Sequence, residues 1–445
     1  MARNCARDGA CVLLALAAVL TGCGAGSSSM VNAVSPTTTA SISATSYDFG
    51  QNIVGNPETQ TVVEVTNTGT NPLTLNPTIV GSTPGFTVVT AQSCETTLAP
   101  ASSCPIVVTF APTTAGTPSA TLNLELANVP LPLAPGLVTL TGTAAAMTAG
   151  TVTATNNPQV ALYTITPPFP GNVTVNFGTT TSYGKQTWSV ATPSGGGPVS
   201  IEVAGMLANT AYHMQAAVTL ADGVTATDVD HTFTTTSYPA NLIPSITTST
   251  AAGQTPEPGI EMLNPTGGPA AEMIATDLAG HVIWAYIPAE PTTQSSILAP
   301  KQLANGDFIF LFSEGSGNPL VGPIDPTAPN VVREVDLVGN TVKQITMAQL
   351  NARLAAANYN LTLQVFSHDV VVLPNGHWLV LANTLKSVVL NGQTTPTTVL
   401  GDVIVDLDTN LNPVWVWNEF DHLDVNRHPV NFPDWTHTNA IVYSK

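Results

Sequence analysis

Short strand-like runs separated by turn residues fill most of this chain, and no other feature of the sequence restricts the fold as strongly. Residues 61–65 (TVVEV) lead into the turn residues 67–70, and residues 105–110 (PIVVTF) lead into Pro112 and Gly116. β-Branched and aromatic residues favour strands, whereas Gly, Pro and Asn interrupt them. Strands this short with turns this frequent predict stacked antiparallel sheets, so we expect an all-β protein.

The charge of the chain excludes one class of partner. The 445 residues carry a formal net charge of −18, and no Lys or Arg occurs between Arg7 and Lys185. Binding of nucleic acid requires clustered cations that neutralise phosphates. We therefore expect no nucleic-acid partner.

The N-terminus has the pattern of a bacterial export signal. Arg3 and Arg7 precede an apolar stretch at residues 11–20, which is too short to span a bilayer as a helix. Leu20-Thr21-Gly22-Cys23 then matches a lipobox, whose cysteine becomes acylated, although an ordinary signal peptide with a chance cysteine is the alternative. We expect a lipoprotein signal peptide at 1–22 and a Ser/Thr/Pro tether at 23–40.

Lipidation of Cys23 implies a location. A diacylglyceryl thioether and an amide-linked acyl chain supply the several chains that stable anchoring requires. We therefore expect an exported protein held in a membrane by its lipid, on the periplasmic face or at the cell surface.

Two cysteines remain once Cys5 and Cys11 leave with the signal and Cys23 is acylated. They are Cys94 and Cys104, and in an exported protein such a pair predicts a disulfide that closes a short loop. The alternative is a reactive thiol or metal pair, although neither His nor a further Cys lies nearby in sequence.

Residues 41–145 form the first predicted module, a β-sandwich. Asp48-Phe49-Gly50, Asn67-Thr68-Gly69, Leu98-Ala99-Pro100 and Phe110-Ala111-Pro112 resemble the immunoglobulin-like modules called choice-of-anchor D or ASH-type domains. Such modules serve as spacers or attachment units, so we expect no catalysis here.

Residues 146–237 form a second predicted sandwich. Residues 173–178 (VTVNFG), Tyr212 and residues 231–235 (HTFTT) resemble a bacterial fibronectin type III module. In that pattern Tyr212 packs inward, and His213 is a surface neighbour rather than a ligand.

From residue 238 onward an internal repeat appears. Leu303-Ala304-Asn305-Gly306-Asp307 and Leu373-Pro374-Asn375-Gly376-His377 each join two strand-like runs, and Asn-Gly accepts positive φ at both positions of a hairpin turn. Recurrence at about 60 to 70 residues suits the four-stranded blades of a β-propeller. One helix is predicted over residues 347–358, where Met347, Leu350 and Leu354 form an apolar stripe.

The repeat count gives roughly three blades or fewer. An open stack leaves bare strand edges, which propellers avoid by closing into a ring of about four to eight blades. The fold class we expect is thus two β-sandwich modules followed by the N-terminal part of a β-propeller at 238–445, incomplete within this sequence.

Two segments depart from strand-and-turn patterning and hold the candidate site. One is Phe366-Ser367-His368-Asp369-Val370, at the start of an apolar strand. The other runs from Trp417-Asn418 through residues 421–424 (DHLD) and Arg427 to Asp434-Trp435-Thr436-His437-Thr438-Asn439, next to the strand-like run 440–443. Histidine donates, accepts or attacks near neutral pH, and such side chains at the inner end of a blade strand face the central channel.

Residues 240–445 resemble the aryl-sulfate sulfotransferase (ASST, arylsulfotransferase) family, exported β-propeller enzymes preceded by a β-sandwich. The matching motifs are His368-Asp369-Val370-Val371 followed by Pro374-Asn375-Gly376, Gly401-Asp402-Val403-Ile404-Val405-Asp406, Trp415-Val416-Trp417-Asn418, Asp421-His422-Leu423-Asp424 and Asp434-Trp435-Thr436-His437-Thr438-Asn439. The resemblance implies nucleotide-independent transfer of a sulfuryl group from a phenolic sulfate ester to a phenol, through a sulfohistidine intermediate.

The resemblance also assigns roles to residues. It places His368 and His437 in the channel as catalytic groups that bind or polarise the sulfate and phenolic oxygens. We assign Arg427 and Asn439 to substrate binding, although Arg427 also suits a salt bridge with Asp424. His422 and His428 fit structural hydrogen bonds in loops, and His281 and His377 fit solvated turn positions. No set of His, Cys and carboxylates has metal-ligand spacing, so we expect neither a metal nor an organic cofactor.

In the family an Arg that contacts sulfate and the nucleophilic His follow the Asp-Trp-x-His motif, so the resemblance would place both beyond Lys445. A covalent mechanism fails without its nucleophile. We expect residues 1–445 alone to show no ping-pong transfer, and a burst of phenol release would contradict that. The rival hypothesis is a non-catalytic surface lipoprotein whose sandwiches present a degenerate propeller as a binding or adhesion module.

Overall fold

A computed structural model describes residues 37–81, 85–93, 97–127, 129, 136–265, 271–288, 295–314, 330–427 and 433–444. Within these ranges strands account for nearly all regular structure, and the helical elements are two α-helices and one 3₁₀ turn. The predicted all-β class is confirmed. In the same ranges no helix is long and apolar enough to cross a membrane.

Two facing sheets make up the first part of the described chain. The strands are β1 Ala40–Ile42, β2 Ser46–Ile53, β3 Glu58–Asn67, β4 Leu73–Thr74, β5 Thr78–Val80, β6 Phe86–Val88, β7 Thr97–Leu98, β8 Ser103–Phe110, β9 Ser119–Asn123 and β10 Leu137–Ala145, with the 3₁₀ turn at Thr90–Gln92. One sheet has the order β1-β3-β8-β6 and the other β2-β10-β9-β5, while β4 pairs with β7. The rings of Phe49, Phe86 and Phe110 pack together between the sheets. Cys104 on β8 is disulfide-bonded, and Cys94 lies outside the described residues.

A second pair of sheets follows. Its strands are β11 Thr148–Ala154, β12 Ala161–Thr166, β13 Gly171–Gly178, β14 Lys185–Gln186, β15 Val190–Ala191, β16 Val199–Val203, β17 Ala211–Leu220, β18 Thr225–Thr227 and β19 His231–Thr234. One sheet is β11-β12-β16, and the other is built around β13 and β17. Alternate residues of β17 are buried, as period-two patterning requires. Tyr212 points inward as predicted, and His213 lies on the surface, where Nδ1 is 2.7 Å from Asp230 Oδ2.

Three antiparallel sheets form the remainder, each from strands consecutive in sequence. The first sheet comprises β20 Glu261–Leu263, β21 Met273–Thr276 and β22 Val282–Tyr286. The second comprises β23 Ser295–Gln302, β24 Phe308–Glu314, β25 Asn330–Val335 and β26 Thr341–Thr346. The third comprises β27 Leu363–Val372, β28 Trp378–Val388, β29 Thr397–Leu407 and β30 Pro413–Asn418. Four-stranded sheets connected in this order are propeller-like blades. A contact between Lys301 of β23 and Asp369 of β27 brings the first strands of neighbouring blades together.

Five hairpin turns in these sheets share one geometry. In each, the N–H of the first residue donates to the carbonyl of the fifth, and the N–H of the fourth donates back to the carbonyl of the first; the turns begin at Asp277, Leu303, Asp336, Leu373 and Asp408. Positive φ occurs at the fourth residue, which is Gly in four turns and Leu411 in the last. The expectation of positive φ at both Asn-Gly positions is therefore wrong, because only Gly306 and Gly376 adopt it. Such turns fit a three-residue hairpin with a glycine bulge.

The predicted helix is present as α1, Met347–Ala356. Met347, Leu350 and Leu354 are buried, as the apolar stripe predicted. Thr346 caps the helix: its hydroxyl accepts from Gln349 N–H, and the Gln349 side chain accepts from Thr346 N–H. This capping box satisfies two backbone donors that the first turn of a helix leaves unpaired.

The second sandwich packs on the turn-bearing side of the blades. Asn157 Nδ2 donates to Ala285 O at 3.2 Å, and Gln159 Nε2 donates to Val282 O at 2.9 Å. Leu337, in the turn that follows β25, donates its N–H to Glu202 Oε2 at 2.8 Å. The two regions thus share buried polar contacts, which fix their relative orientation.

Candidate functional site

The candidate site is built first on a distortion of β27. Between Phe366 and Val370 this strand advances four residues, while its partner β28 advances two, from Ala382 to Val380. Within the distortion His368 has a φ of +46°. Such bulges reorient side chains and leave backbone groups without ladder partners.

The distortion of β27 is compensated by a side chain from the neighbouring blade. Asn330, at the start of β25, is buried, and its Oδ1 accepts the Phe366 N–H at 3.1 Å. A backbone donor freed from the ladder and left buried would be costly, so this amide stabilises the irregular strand. The left-handed backbone at His368 is therefore held by packing from two blades.

Asp369 joins three segments of the site. Its Oδ1 is 2.5 Å from Lys301 Nζ, and its Oδ2 accepts the Ile441 N–H at 2.8 Å. The carboxylate is almost fully buried, whereas the Lys301 side chain is 40 % exposed. A buried carboxylate needs such charge-assisted partners, so Asp369 fixes the strand that carries His368 relative to the segment that carries His437.

His437 lies on a segment without strand structure and also has a positive φ, +52°. Its Nδ1 is 2.5 Å from Asp434 Oδ2. The hydrogen bond to Asp434, together with the charge of that carboxylate, raises the pKa of His437 above its ordinary value. Because Nδ1 donates to Asp434, Nε2 is the ring atom that can contact a substrate.

Two carboxyl groups hold the backbone around His437. Asp402 Oδ2 accepts the Thr438 N–H at 2.7 Å, and Asp402 Oδ1 accepts from Asn383 Nδ2 at 2.5 Å. Glu419 accepts hydrogen bonds from the hydroxyls of Thr436 and Thr438. Burial raises the pKa of Glu419, and its position beside Asp402 adds to that shift. These groups act on the backbone conformation of the 436–438 segment and hence on the position of the His437 ring.

Trp435 anchors the same segment by packing. Its side chain is fully buried and stacks on Phe420 with ring centroids 5.1 Å apart. The backbone N–H of Trp435 donates to Leu400 O at 3.0 Å, next to a parallel bridge between Leu400 and Asp434. The sequence predicted a strand-like run at residues 440–443, but the structure has no strand there. The Ile441 N–H bonds to the Asp369 side chain and not to the backbone of a neighbouring strand.

These supports bring the two predicted catalytic histidines together. The ring centroids of His368 and His437 are 5.0 Å apart, at an interplanar angle of 53°. Sixty-nine positions separate the two residues in sequence, and both occupy left-handed backbone, which is rare for side chains other than Gly. Clustering of such conformations is a property of ligand-binding and catalytic sites.

The other predicted ligands lie at the surface. Arg427 is exposed in the turn after α2 (Glu419–His422), where it helps to lower the pKa of Asp424, although hydrogen bonds from Asn426 contribute most to that shift. Asn439 is exposed, and its Nδ2 donates to His437 O at 3.0 Å. Among the contacts of the described residues, none joins Arg427 to either histidine. His428 and Cys23 lie outside the described residues.

The remaining histidines have structural partners. His422 stacks on Trp417 at 5.3 Å, and His281 is largely exposed beside Asp277. His377 was expected to be solvated, but it is partly buried, with Nδ1 2.9 Å from Asp406 Oδ1. Asp406 lies on β29, opposite Leu379 and next to the turn that carries His377. The sequence of the turn alone does not indicate this partner.

Several site residues were missed by the sequence reasoning. Lys301, Asn383 and Glu419 were not singled out, and Asp402 was noted only as part of a motif. A signal for Asp402 was available, since one carboxylate in the apolar run 399–405 requires buried partners. Lys301 carries no such signal, because its partner lies in another blade. Across the described ranges, no three His, Cys, Asp or Glu side chains are grouped as a metal ion would need.

Comparison with protein families supports the reading of both regions. Residues 246–445 match the family model of arylsulfotransferase (ASST). Residues 40–132 match the model of the HYDIN/CFA65/VesB-like Ig-like domain. The resemblance inferred from the motifs is thereby confirmed, and the first match covers every residue of the candidate site.

None of the curated proteins compared with the chain matches it. Among solved structures, an ASH/PapD-like domain of human CEP192 is 19 % identical over 25 % of this chain and 88 % of that domain, with a TM-score of 0.19. The secreted serine protease VesC from Vibrio cholerae is 12 % identical over 44 % of this chain and 51 % of its own, with a TM-score of 0.19. The chain thus spans about half the length of that protease. These likenesses carry no functional argument.

Proposed function

We propose that residues 246–445 bind aryl sulfates and serve in the nucleotide-independent transfer of a sulfuryl group from a phenolic sulfate ester to a phenol. The observation that carries the proposal is the His368–His437 pair, 5.0 Å between ring centroids, within the region that matches the arylsulfotransferase family. Each ring stands on a strained backbone that other segments hold in place.

The chemistry requires donors for anionic oxygens. In the first step a histidine nitrogen attacks sulfur, the S–O bond to the donor phenol breaks, and a sulfohistidine and a phenolate result. In the second step the acceptor phenol oxygen attacks sulfur and the S–N bond breaks, and the proton that the acceptor loses converts the donor phenolate to the neutral phenol overall. Positioned imidazole N–H groups stabilise the charge on the sulfuryl oxygens and on the leaving phenolate. We assign that role to His368 and His437, and the resemblance assigns the nucleophile to a different histidine.

The elevated pKa of His437 suits this role. Hydrogen bonding to Asp434 favours the protonated ring, and a protonated ring donates from Nε2 to an anionic ligand while Nδ1 stays bonded to Asp434. The nearby carboxylates of Asp369 and Asp402 accept hydrogen bonds from backbone and side-chain donors of the protein. Arg427 and Asn439, whose side chains are both exposed, remain proposed substrate ligands.

Binding provides the first test of the proposal. 4-Nitrophenyl sulfate is titrated into the wild-type chain and into His368→Asn and His437→Asn, because asparagine tolerates left-handed backbone. We expect each variant to bind about tenfold more weakly, the loss of one charge-assisted hydrogen bond. His281→Asn, in an exposed turn, is the matched control and should bind as wild type. Equal affinities in all four proteins would overturn the assignment.

Turnover is measured separately. The family resemblance predicts that residues 1–445 alone release no 4-nitrophenol from 4-nitrophenyl sulfate. Release that depends on an added phenol and needs no nucleotide sulfate donor would overturn that expectation and support the proposed reaction class. Release of 4-nitrophenol that does not depend on the acceptor phenol would indicate hydrolysis instead of transfer. A requirement for a nucleotide donor would contradict the proposed reaction class.

We also propose that the protein is exported and anchored in a membrane through a lipid on Cys23. The basis is the lipobox sequence Leu20-Thr21-Gly22-Cys23. Metabolic labelling with a fatty-acid probe should mark the wild-type chain and not Cys23→Ser. Label retained in Cys23→Ser would argue against this anchor.

A further inference from the structure

A cavity of about 220 Å³ lies between the second sandwich and the first two blades, well apart in sequence from the paired histidines. Phe177 and Trp188 line it from the sandwich, and Trp284 and Phe308 line it from β22 and β24. The last two rings stack on each other with centroids 4.9 Å apart. Aromatic rings from the sandwich and from both blades thus form part of the cavity wall.

Large apolar side chains remain accessible to solvent around this cavity. Trp188 is 45 % exposed, and Ile260 and Met262, which also line the cavity, are exposed as well. Trp188 reaches across to the blade, since a Cβ added at Gly306 would lie 3.9 Å from its ring. An indole that is partly exposed to solvent and packs on a neighbouring turn offers a face on which a ligand can stack.

Carboxyl groups supply the polar side of the cavity. Glu202 lines it, and Glu202 Oε2 accepts the Leu337 N–H at 2.8 Å. Burial, followed by the charges of Asp336 and Asp307, raises the pKa of Glu202 to about 7. Asp307 lines the adjoining cavity of about 180 Å³, which shares Trp188 and Glu202. Mutually repelling carboxylates of this kind are stabilised by a nearby cation.

One cation already lies at the edge of this region. Lys185 Nζ donates to Gly205 O at 2.7 Å and lies 5.9 Å from the centre of the Phe177 ring. Burial lowers the pKa of Lys185. The Lys185 ammonium group is therefore bonded to the backbone of the second sandwich, whereas Glu202 lines the cavity.

We propose that this cavity binds a small organic cation, with its ammonium group at Glu202 and its single-ring or similarly compact apolar body between Trp188 and the stacked rings of Trp284 and Phe308. Aromatic faces attract a cation through their quadrupoles, and a carboxylate adds direct charge complementarity. A cavity of roughly 150 Å³ accommodates benzene, so the volume here suits one ring with a short amine chain. The proposal does not depend on the sulfuryl-transfer function.

The proposed ligand imposes a pH dependence. Only ionised Glu202 pairs with the ammonium group, so binding releases a proton from the protonated fraction. Affinity should therefore rise as pH increases through the region near 7. Asp336 and Asp307 are the other charged groups that act on Glu202, and they shift the midpoint without reversing this direction.

The test uses three probes of one shape: 2-phenylethylammonium, neutral 2-phenylethanol and anionic phenylacetate. Calorimetric titration of the full chain at about pH 6 and about pH 8 brackets the Glu202 transition. We expect the ammonium probe to bind roughly tenfold more tightly than the alcohol at the higher pH. Phenylacetate should bind most weakly.

Substitutions locate the binding. Glu202→Gln should abolish the preference for the cation and the pH dependence, and Trp188→Ala should weaken all binding, with Trp188→Phe restoring part of it. Trp415→Ala, at a similarly exposed indole on β30, and Glu64→Gln are matched controls. Equal affinity for ammonium and alcohol, no binding by the ammonium probe, or binding unchanged in Trp188→Ala would each overturn the proposal. Affinity for 4-nitrophenyl sulfate should be unchanged in Trp188→Ala.

Discussion

At the scale of single residues, the site depends on two histidines held in an unfavourable backbone conformation. His368 and His437 each adopt positive φ, which costs a residue other than Gly about 1–2 kcal/mol. Neither conformation follows from the local sequence. Each persists because neighbours are fixed by side chains from elsewhere, such as Asn330 beside Phe366 and Asp402 beside Thr438.

Asp434→Asn should lower the pKa of His437 toward its ordinary value of about 6.5, because the substitution removes the charge that favours the protonated ring. The raised pKa stabilises the folded state below the unfolded histidine pKa, and this contribution is lost as pH rises through the folded pKa. NMR titration of the imidazole resonances measures the change, and the pH range of aryl-sulfate binding should move down with it. Asp277→Asn, which alters the His281 pair, is the control. An unchanged pKa of His437 would contradict the assignment.

Leu411→Gly tests a different residue in left-handed backbone. Leu411 stands where four equivalent turns have Gly, yet it is 5 % exposed and packs in the blade core. Glycine relieves about 1 kcal/mol of strain, whereas removing a buried leucine side chain costs roughly 2–5 kcal/mol. We expect a net loss of about 2 kcal/mol in unfolding free energy by denaturant titration.

Gly392→Ala supplies the reference for that experiment. Gly392 has a φ of +82° with open space where a Cβ would lie, so its substitution measures the backbone cost alone. A Leu411→Gly protein more stable than wild type would show that strain outweighs burial at this turn.

At the scale of elements, the sequence predicts the regular parts and misses the irregular ones. The apolar stripe of α1 and the Asn-Gly turns are local signals, and both elements are present. The distortion of β27 is not local, because the amide that replaces its ladder partner comes from β25. The pairing of His368 with His437 was expected from the family resemblance alone, and the network of Asp402, Glu419 and Asn383 was not foreseen.

Gly401→Ala should disturb the packing beneath His437. A Cβ at this position of β29 would lie 2.6 Å from the Phe420 ring, which stacks on Trp435. Overpacking of this kind costs about 1–3 kcal/mol. We expect lower thermal stability and weaker binding of 4-nitrophenyl sulfate, because Trp435 anchors the segment that carries His437.

Gly195→Ala is the matched control for Gly401→Ala, since an added Cβ there has open space and φ is not positive. It should leave stability and binding unchanged. If Gly401→Ala binds 4-nitrophenyl sulfate with wild-type affinity, the Phe420–Trp435 stack does not position His437.

At the scale of the whole molecule, the second sandwich and the blades are joined by buried polar contacts. Tyr238 OH donates to Asn157 Oδ1 at 2.6 Å and accepts the Ala285 N–H of β22 at 2.8 Å. Nothing in the local sequence marks Asn157 or Gln159 as interface residues. Composition and turn frequency predict an all-β chain, but contacts between its parts depend on surfaces that only the folded chain defines.

Glu202 makes this junction sensitive to pH. A carboxyl whose pKa is raised by burial to about 7 binds its proton more tightly in the folded than in the unfolded state. The free energy of unfolding should therefore fall as pH rises from the ordinary glutamate value of about 4.5 towards 7. Glu202→Gln should flatten that slope in thermal melts taken across this range, and Glu64→Gln should leave it intact. A slope unchanged in Glu202→Gln would assign the pH dependence elsewhere.

The buried carboxylate of Asp369 has a consequence for the order of folding. Its partners Lys301 and Ile441 lie 68 and 72 positions away in sequence, so each contact closes a long loop. Closing such loops costs chain entropy before any contact compensates for it. The hairpins can therefore form early from neighbouring residues, while the two histidines meet only after the intervening blade has been completed. During synthesis, ligand affinity at this pair should be among the last properties that the chain acquires.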